Sequence, residues 1–467
     1  MGIKDINGID RREFLKWMST GAAVSAVALT GCDSGNNTVT GNRSASGEIP
    51  TDKMTYRMNP NTNDRVSLLG YGCMRWPFRQ KADGSGEEID QEAVNELVDY
   101  ALAHGVNYFD TSPHYGRGGS EKATGIALSR HPRNSYYLAT KMSTFLEEHG
   151  ENAYRNSVVM FEESLKLLQT DYMDYYLIHG AGIGGMEVLH RRLLDNGMLG
   201  HLLGLRREGR IRNLGFSFHG DIAVFDYLLS RHEELHWDFV QIQLNYADWK
   251  HATGWNTNAE YLYGELSKRR IPVVIMEPLL GGRLSRLPDH LVNRLRSRRP
   301  EQSAASWAFR FAGSLPEVLT VLSGMTYMEH LQDNIRTFSP LDPCSDEELE
   351  LLEDTARLFL EYPSVPCTAC EYCMPCPYGL DIPAIFTHYN KCVNEGNVPA
   401  SSQDENYRQA RRAFLVGYDR SVPRLRQANH CIGCNQCVHH CPQRIQIPQQ
   451  LQRIDRFVEE LKQGREF

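Results

Sequence analysis

This α/β sequence predicts a (β/α)8 barrel followed by a mainly α-helical ferredoxin-type iron–sulfur domain, and three observations predict it. Residues 53–340 alternate short apolar strands with amphipathic helices in eight units. Eight of the twelve cysteines fall into two tight sets near the C-terminus. At 467 residues the chain exceeds what a single hydrophobic core organises.

The strands read as Val66–Gly72, Asn107–Asp110, Tyr136–Lys141, Met173–His179, Ile211–Ser217, Phe239–Asn245, Val273–Glu277 and Val318–Ser323. Helical periodicity occupies the stretches between them, such as Gln91–His104, Ala153–Gln169, Asn258–Arg270 and Ser303–Ala312. A connecting helix, Asp346–Leu360 within residues 341–362, packs beside the barrel or bridges to residues 363–467, the iron–sulfur domain. The basic run Arg294–Arg299 reads as a solvated helix face. A formal charge of −8 argues against a nucleic-acid partner.

The cysteine sets are Cys367, Cys370, Cys373, Cys376 and Cys431, Cys434, Cys437, Cys441, with Pro377 and Pro442 after the last of each. Paired C-x-x-C-x-x-C runs that end in Cys-Pro are the signature of two [4Fe–4S] clusters. Three thiolates two residues apart wrap one cubane in a tight loop, and the Cys-Pro residue ligates the other cluster. Cys367, Cys370, Cys373 and Cys441 therefore hold one centre, and Cys431, Cys434, Cys437 and Cys376 the other. The first set has two residues before its Cys-Pro where the second has three. A pair of zinc knuckles is the alternative for C-x-x-C pairs. Four cysteines within ten residues followed by Pro favour iron–sulfur. Cys73 and Cys392 read as packed thiols outside both sets, Cys73 standing where it could face the barrel mouth.

The N-terminus carries an address. Asp10-Arg-Arg-Glu-Phe-Leu-Lys16 matches the twin-arginine export pattern, with Arg11 and Arg12 as the pair. A short apolar stretch, Trp17–Leu29, follows and ends in Leu29-Thr-Gly-Cys32, which looks like a bacterial lipobox. Residues 1–32 thus read as a signal, with Cys32 the site of lipidation and the membrane contact. Residues 33–52, rich in Ser, Gly, Asn and Thr, read as a flexible linker. No run of eighteen apolar residues occurs, so no conventional spanning helix is expected. Twin-arginine export moves folded proteins, which suits clusters inserted before translocation.

Barrel chemistry belongs at the C-terminal ends of strands. Those ends supply Asp110 with nearby Tyr115, then Lys141, then His179. A free tyrosine titrates near pH ~10, and an ammonium beside it is expected to lower that value. A carboxylate fixes the ammonium, and a neutral imidazole orients a carbonyl.

Phe109-Asp-Thr-Ser-Pro-His-Tyr-Gly116, Gly119-Ser-Glu-Lys-Ala-Thr-Gly125, Leu138-Ala-Thr-Lys141 and Tyr175-Tyr-Leu-Ile-His179 resemble the aldo/keto reductase family over roughly Tyr56 to Phe338. The resemblance implies Tyr115 as general acid–base, with Asp110, Lys141 and His179 as its partners, an NAD(P) cofactor and a small carbonyl or alcohol substrate. It also implies nucleotide contacts. Ser217 and Gln241 would hold the nicotinamide carboxamide. The loop Glu277-Pro-Leu-Leu-Gly-Gly282, with Pro278, Leu279, Gly281 and Gly282, would wrap the pyrophosphate. Ser323 and Asn334 would take the adenosine end. Met276 stands where the family stacks an aromatic ring. Gly324 and His330 stand where a 2′-phosphate usually finds a cation, which leaves NAD and NADP both open. The C-terminal addition resembles the family's ferredoxin-linked subgroup. The loop Gly180–Gly185 reads as small and mobile.

Two readings of function follow. In one, an exported, lipid-anchored oxidoreductase couples hydride transfer to two clusters and to a membrane or soluble redox partner. In the other, the chain is an electron-transfer module whose barrel binds nucleotide without turnover.

Overall fold

The computed structural model describes residues 49–144 and 152–464. Arg11, Arg12 and Cys32 lie outside the described residues. No helix among the described residues is long and apolar enough to cross a membrane.

Eight parallel strands close a barrel: β1 (Leu69–Gly72), β2 (Tyr108–Asp110), β3 (Tyr137–Met142), β4 (Met173–Ile178), β5 (Ile211–Phe218), β6 (Phe239–Gln243), β7 (Val273–Met276) and β8 (Val318–Ser323). Each pairs with its sequence neighbour, and β8 returns to β1. Every residue of β4 and β8 is buried. Continuous burial is what a parallel strand covered on both faces requires, and it is why these strands read as unbroken apolar runs. Inside the barrel, Tyr108, Tyr175 and Phe239 meet edge to face at centroid distances of 5.0 and 5.1 Å. Each such buried ring is worth about 1.5–3 kcal/mol in transfer from water.

The expected first strand divides in two. Arg65–Ser67 pairs antiparallel with Tyr56–Met58, and the chain then turns into β1. The turn is fixed by hydrogen bonds: Ser67 Oγ donates to the Leu69 carbonyl at 2.7 Å, and Asn107 Oδ1 accepts from Ser67 N at 2.8 Å. Beside this hairpin, Asn59 donates to the Tyr175 hydroxyl at 3.0 Å and to Asn213 Oδ1 at 3.1 Å. These partners sit early in β4 and β5, so the hairpin closes the end opposite the strands' C-termini.

Outer helices begin where capping side chains allow. Asp90 accepts from Ala93 N to start Gln91–Ala103, and Ser303 accepts from Ser306 N to start Ala304–Gly313. Ser345 and Glu348 form a capping box at the start of Asp346–Leu360. That helix packs its buried Leu349, Leu352, Ala356 and Phe359 into the barrel's own core. The basic run is a solvated face, as expected: Arg294, Arg296 and Arg298 are exposed. Arg294 reaches Asp354 at 3.0 Å and Arg299 reaches Asp342 at 2.6 Å, while outside the run the buried Arg310 reaches Glu348 at 2.6 Å. The loop Gly180–Gly185 is packed rather than loose. Ala181 N donates to the Ser217 carbonyl at 2.8 Å, and a Cβ on Gly182 would overlap the His219 carbonyl.

Residues 363–464 fold around a second core, with helices Ile382–Asn394, Tyr407–Ser421 and Ile447–Gln463. The cysteine runs end alike: Cys376-Pro-x-x-Leu-x-Ile-Pro383 and Cys441-Pro-x-x-Ile-x-Ile-Pro448, each opening a helix. Proline in the first turn costs nothing there, because that amide has no helical partner.

Candidate active site and iron–sulfur cradles

Four of the residues expected at the barrel mouth converge. Asp110 ends β2, Lys141 lies one residue from the end of β3, His179 follows β4, and Tyr115 opens a short turn after β2. All four are buried. Lys141 Nζ donates to Asp110 Oδ1 at 2.6 Å and to the Thr111 carbonyl at 2.8 Å. The same ammonium lies 4.6 Å from the centre of the Tyr115 ring. The Tyr115 and His179 rings meet edge to face at 6.0 Å.

Burial sets the protonation states. It pushes Asp110 up and Lys141 down, and their mutual attraction opposes both shifts. His179 is held well below its ordinary value by burial, and then by the charges of Lys141 and Arg192, so its imidazole is neutral. Tyr115 corrects the expectation from sequence. Its hydroxyl is raised well above its ordinary value, first by burial and then by Tyr372, Asp110 and Glu277. The Lys141 ammonium lies over the ring, and its charge does not outweigh the burial. A phenol in this environment carries its proton throughout the neutral range.

Sequence reasoning missed the residues that orient His179. Ser143 Oγ lies 2.6 Å from His179 Nδ1, and the fully buried Arg192 donates to the His179 carbonyl at 2.7 Å. A hydroxyl donating to Nδ1 leaves Nε2–H aimed at the mouth. Ser143 lies two residues beyond Lys141, on the same strand exit, which is the one signal the sequence offers. Tyr372 was missed as well: it comes from the cysteine-rich region, and its hydroxyl is 3.3 Å from His179 Nε2.

The cysteines sort into two groups of four. Cys367, Cys370, Cys373 and Cys441 line one cavity with Ile382, Phe386 and Ile445. Burial pushes the Cys437 thiol up to about 11, and its neighbours Cys431, Cys434 and Cys376 add to the shift. Each Cys-Pro cysteine thus stands with the other run's three. Thiols crowded together favour a cationic cluster that takes their protons' place. Cys73 is buried in the barrel core and Cys392 in the second core, apart from both groups.

The aldo/keto reductase family model matches residues 68–356, more than half of the chain. This chain belongs to the aldo/keto reductase family. Residues 366–446 match a 4Fe-4S dicluster domain. L-galactose dehydrogenase of Arabidopsis thaliana is 26% identical over 327 residues, covering 66% of this chain and 95% of that protein. D-arabinose 1-dehydrogenase of Saccharomyces cerevisiae is 32% identical over 137 residues, 28% of this chain and 38% of that protein. Aldo-keto reductase AKR11C1 of Bacillus halodurans, in its holo form, superposes with a TM-score of 0.51 at 24% identity, covering 65% of this chain and 96% of that one. That likeness shows the shared barrel fold. The protein is an oxidoreductase, an aldo/keto reductase barrel joined to a 4Fe-4S ferredoxin-type domain.

In this aldo/keto reductase the expected nucleotide contacts divide by position. At the amide end, Gln241 Oε1 is buried with no hydrogen-bond partner, and Gln241 Nε2 has only Met276 Sδ at 3.5 Å. An orphaned acceptor of this kind fits a carboxamide donor. Ser217 Oγ, one strand away, accepts from Gly180 N at 2.9 Å. In the pyrophosphate loop, Pro278 is buried, Leu279 packs on the core, and Gly281 and Gly282 take φ of 69° and 90°. A Cβ on Gly281 would overlap the Thr368 backbone, so the close approach there is made by the first cysteine loop. A Cβ on Gly282 would meet Ser285 Oγ at 3.9 Å, an ordinary contact. At the adenosine end, Asn334 Nδ2 donates to Ser323 Oγ at 2.9 Å. The aliphatic stem of Arg75 lies against Gly324, while its guanidinium donates to the Thr368 carbonyl at 2.6 Å.

Proposed function

We propose that this protein interconverts a small carbonyl compound and its alcohol, with Tyr115 as general acid–base, and that the electrons pass through two [4Fe–4S] centres. A nicotinamide nucleotide, held by Ser217 and Gln241 when bound, supplies or removes the hydride. The chain's own residues handle the proton and the oxygen. His179 Nε2–H and the Tyr115 hydroxyl are the two donors at the mouth, and both point to one oxygen position. In reduction the Tyr115 proton goes to the carbonyl oxygen as negative charge develops there. The nearby Lys141 ammonium, pinned by Asp110 at 2.6 Å, stabilises the phenolate that results. In oxidation the same proton returns. Burial of all four side chains strengthens each of these electrostatic effects.

The observation that carries this reading is the burial of Tyr115, His179 and the Lys141–Asp110 pair together at the barrel mouth, the pair at 2.6 Å and the two rings in edge-to-face contact. The names of the relatives direct the first substrate trials to aldoses such as galactose and arabinose. Replacing Tyr115 by Phe is expected to lower kcat by about 10²–10⁴-fold, with nucleotide affinity retained. Steady-state turnover beside a fluorescence titration of nucleotide measures both, and wild-type turnover in the variant removes the acid from the scheme.

Oxidation of one alcohol releases two electrons, and each cluster carries one. A hydride moves two at once, so a flavin or quinone is the class of partner that exchanges with both.

The N-terminal pattern supports export by the twin-arginine pathway and tethering through lipid on Cys32. Cys32→Ser then releases the protein from membranes, and Arg11→Lys with Arg12→Lys retains it in the cytoplasm. Cell fractionation reads both, and unchanged distribution in either variant refutes that part of the proposal.

A further inference from the structure

Tyr372 belongs to the first cysteine loop, between Cys370 and Cys373, yet its side chain enters the barrel mouth. Its hydroxyl lies 3.3 Å from His179 Nε2 and also hydrogen-bonds with the Tyr115 hydroxyl. Its ring meets the His179 imidazole at 6.1 Å, nearly perpendicular. Those are the two groups that hold the reacting oxygen in the reaction above. One hydroxyl that satisfies both is standing in for a carbonyl or alcohol oxygen.

The loop is tied to the barrel at further points. Thr368, on the same turn, is buried over Gly281 and held by Arg75 at 2.6 Å. Glu371, beside Tyr372, pairs with Arg117 at 3.8 Å, and Arg117 lies two residues from Tyr115. Ala369 and Glu371 flank Cys370 in left-handed conformations, with φ of 50° and 65°. Such backbone costs about 1–2 kcal/mol per residue and persists only where surrounding contacts hold it.

We propose that the Tyr372 hydroxyl occupies the substrate-oxygen position, so that a carbonyl or alcohol oxygen binds by displacing it and, in doing so, shifts the loop that ligates the first cluster. The inference rests on the carbonyl–alcohol reading of the mouth. Tyr372 is a positioning residue: it sets how strongly an oxygen must bind to enter, and it reports that entry to Cys370 and Cys373. Coupling of this kind is reciprocal, so the redox state of the first cluster changes affinity for the oxygen ligand by the same factor. Displacement breaks two hydrogen bonds and forms two, with no covalent step.

The test uses anaerobically prepared holo-protein and 4-nitrobenzaldehyde as probe. Binding is read by calorimetry, and the first cluster by electron paramagnetic resonance and its reduction potential. Tyr372→Phe keeps the ring and removes the competing hydroxyl, so affinity for the aldehyde is expected to rise about fivefold, the worth of one net hydrogen bond. Saturating aldehyde shifts the signal and potential of the first cluster in wild type, and shifts them less in Tyr372→Phe. Unchanged or weaker affinity in Tyr372→Phe, including no binding by either protein, overturns the proposal, as does a wild-type cluster signal indifferent to bound aldehyde. The failure of the parent reading looks different. There, aldehyde binds with the expected gain in Tyr372→Phe and moves the cluster signal, but no variant turns it over.

Discussion

The two cysteine loops share a local design and have opposite surroundings. Each is a C-x-x-C-x-x-C run, and each run's Cys-Pro leads through the same x-x-apolar-x-Ile-Pro turn into a helix. The first loop faces inward. Thr368 is 3% exposed, Tyr372 reaches the barrel mouth, and Arg75 and Arg283 bind its backbone and the Ser364 hydroxyl upstream. The second loop faces outward. Ile432 is 63% exposed, Cys434 is exposed, and neighbouring Leu425 is 80% exposed. Arg420, Arg424, Arg426 and Arg444 flank it in sequence, and no Asp or Glu occurs from residue 420 to 454, although Arg426 pairs with Asp381 at 3.7 Å and Arg444 stacks on Trp255. The motif determines that a cluster is held, and the docking determines which loop meets the barrel mouth and which faces out.

The largest way to break this comparison is to remove a ligand that crosses between the loops. Cys376→Ala should lower iron from about eight to about four per chain. The surviving centre should be the one ligated by Cys367, Cys370, Cys373 and Cys441. Metal analysis with spectroscopy of the reduced protein tells the two apart, and loss of the inner centre instead reverses the ligand assignment.

A smaller effect tests what holds the inner loop in place. The helix leading into it is anchored by Glu348, which accepts from Arg310 at 2.6 Å and from Arg299. Burial raises the Glu348 carboxyl, but the two guanidiniums outweigh it and hold it at about 2. Removing one partner of such a buried pair, as in Glu348→Gln, is expected to cost about 3 kcal/mol in denaturant unfolding. The folded pKa lies below the unfolded value of about 4.3. The stabilisation is therefore complete above that value and is lost as pH falls from there toward 2. A variant whose acid unfolding matches wild type contradicts the anchor.

The smallest effect concerns the outer loop. Arg424→Glu with Arg426→Glu should slow electron transfer to an acidic carrier protein about tenfold at low salt, and flatten its dependence on ionic strength. Stopped-flow mixing at several salt concentrations measures it. An unaltered salt dependence means that the partner docks elsewhere.

Much of this architecture was legible in the sequence, because strong local signals and tertiary structure agree. The eight barrel strands appear within a residue or two of their expected limits, apart from the first, since strands buried on both faces are uninterrupted apolar runs. The mouth residues were legible because strand ends in a barrel share one face. What stayed hidden was contact between distant segments. Nothing local in Glu371-Tyr-Cys373 says that the tyrosine enters another domain. The glycine at 281 suggested close approach of a pyrophosphate, and nothing local said that Thr368 packs against it. The direction of the Tyr115 shift also eluded the sequence, because it depends on burial of the hydroxyl and on Tyr372 from a distant segment.

The proposal that one chain joins carbonyl–alcohol chemistry in the barrel to two iron–sulfur centres is open to a single decisive preparation. The full protein is isolated without air, every bound group is identified, and turnover of small carbonyls is assayed. The expected result is about eight irons per chain, a nicotinamide nucleotide that binds the barrel, and nucleotide oxidation that depends on added carbonyl. Zinc in place of iron, or two clusters beside a barrel that neither binds nucleotide nor turns over any carbonyl, contradicts it.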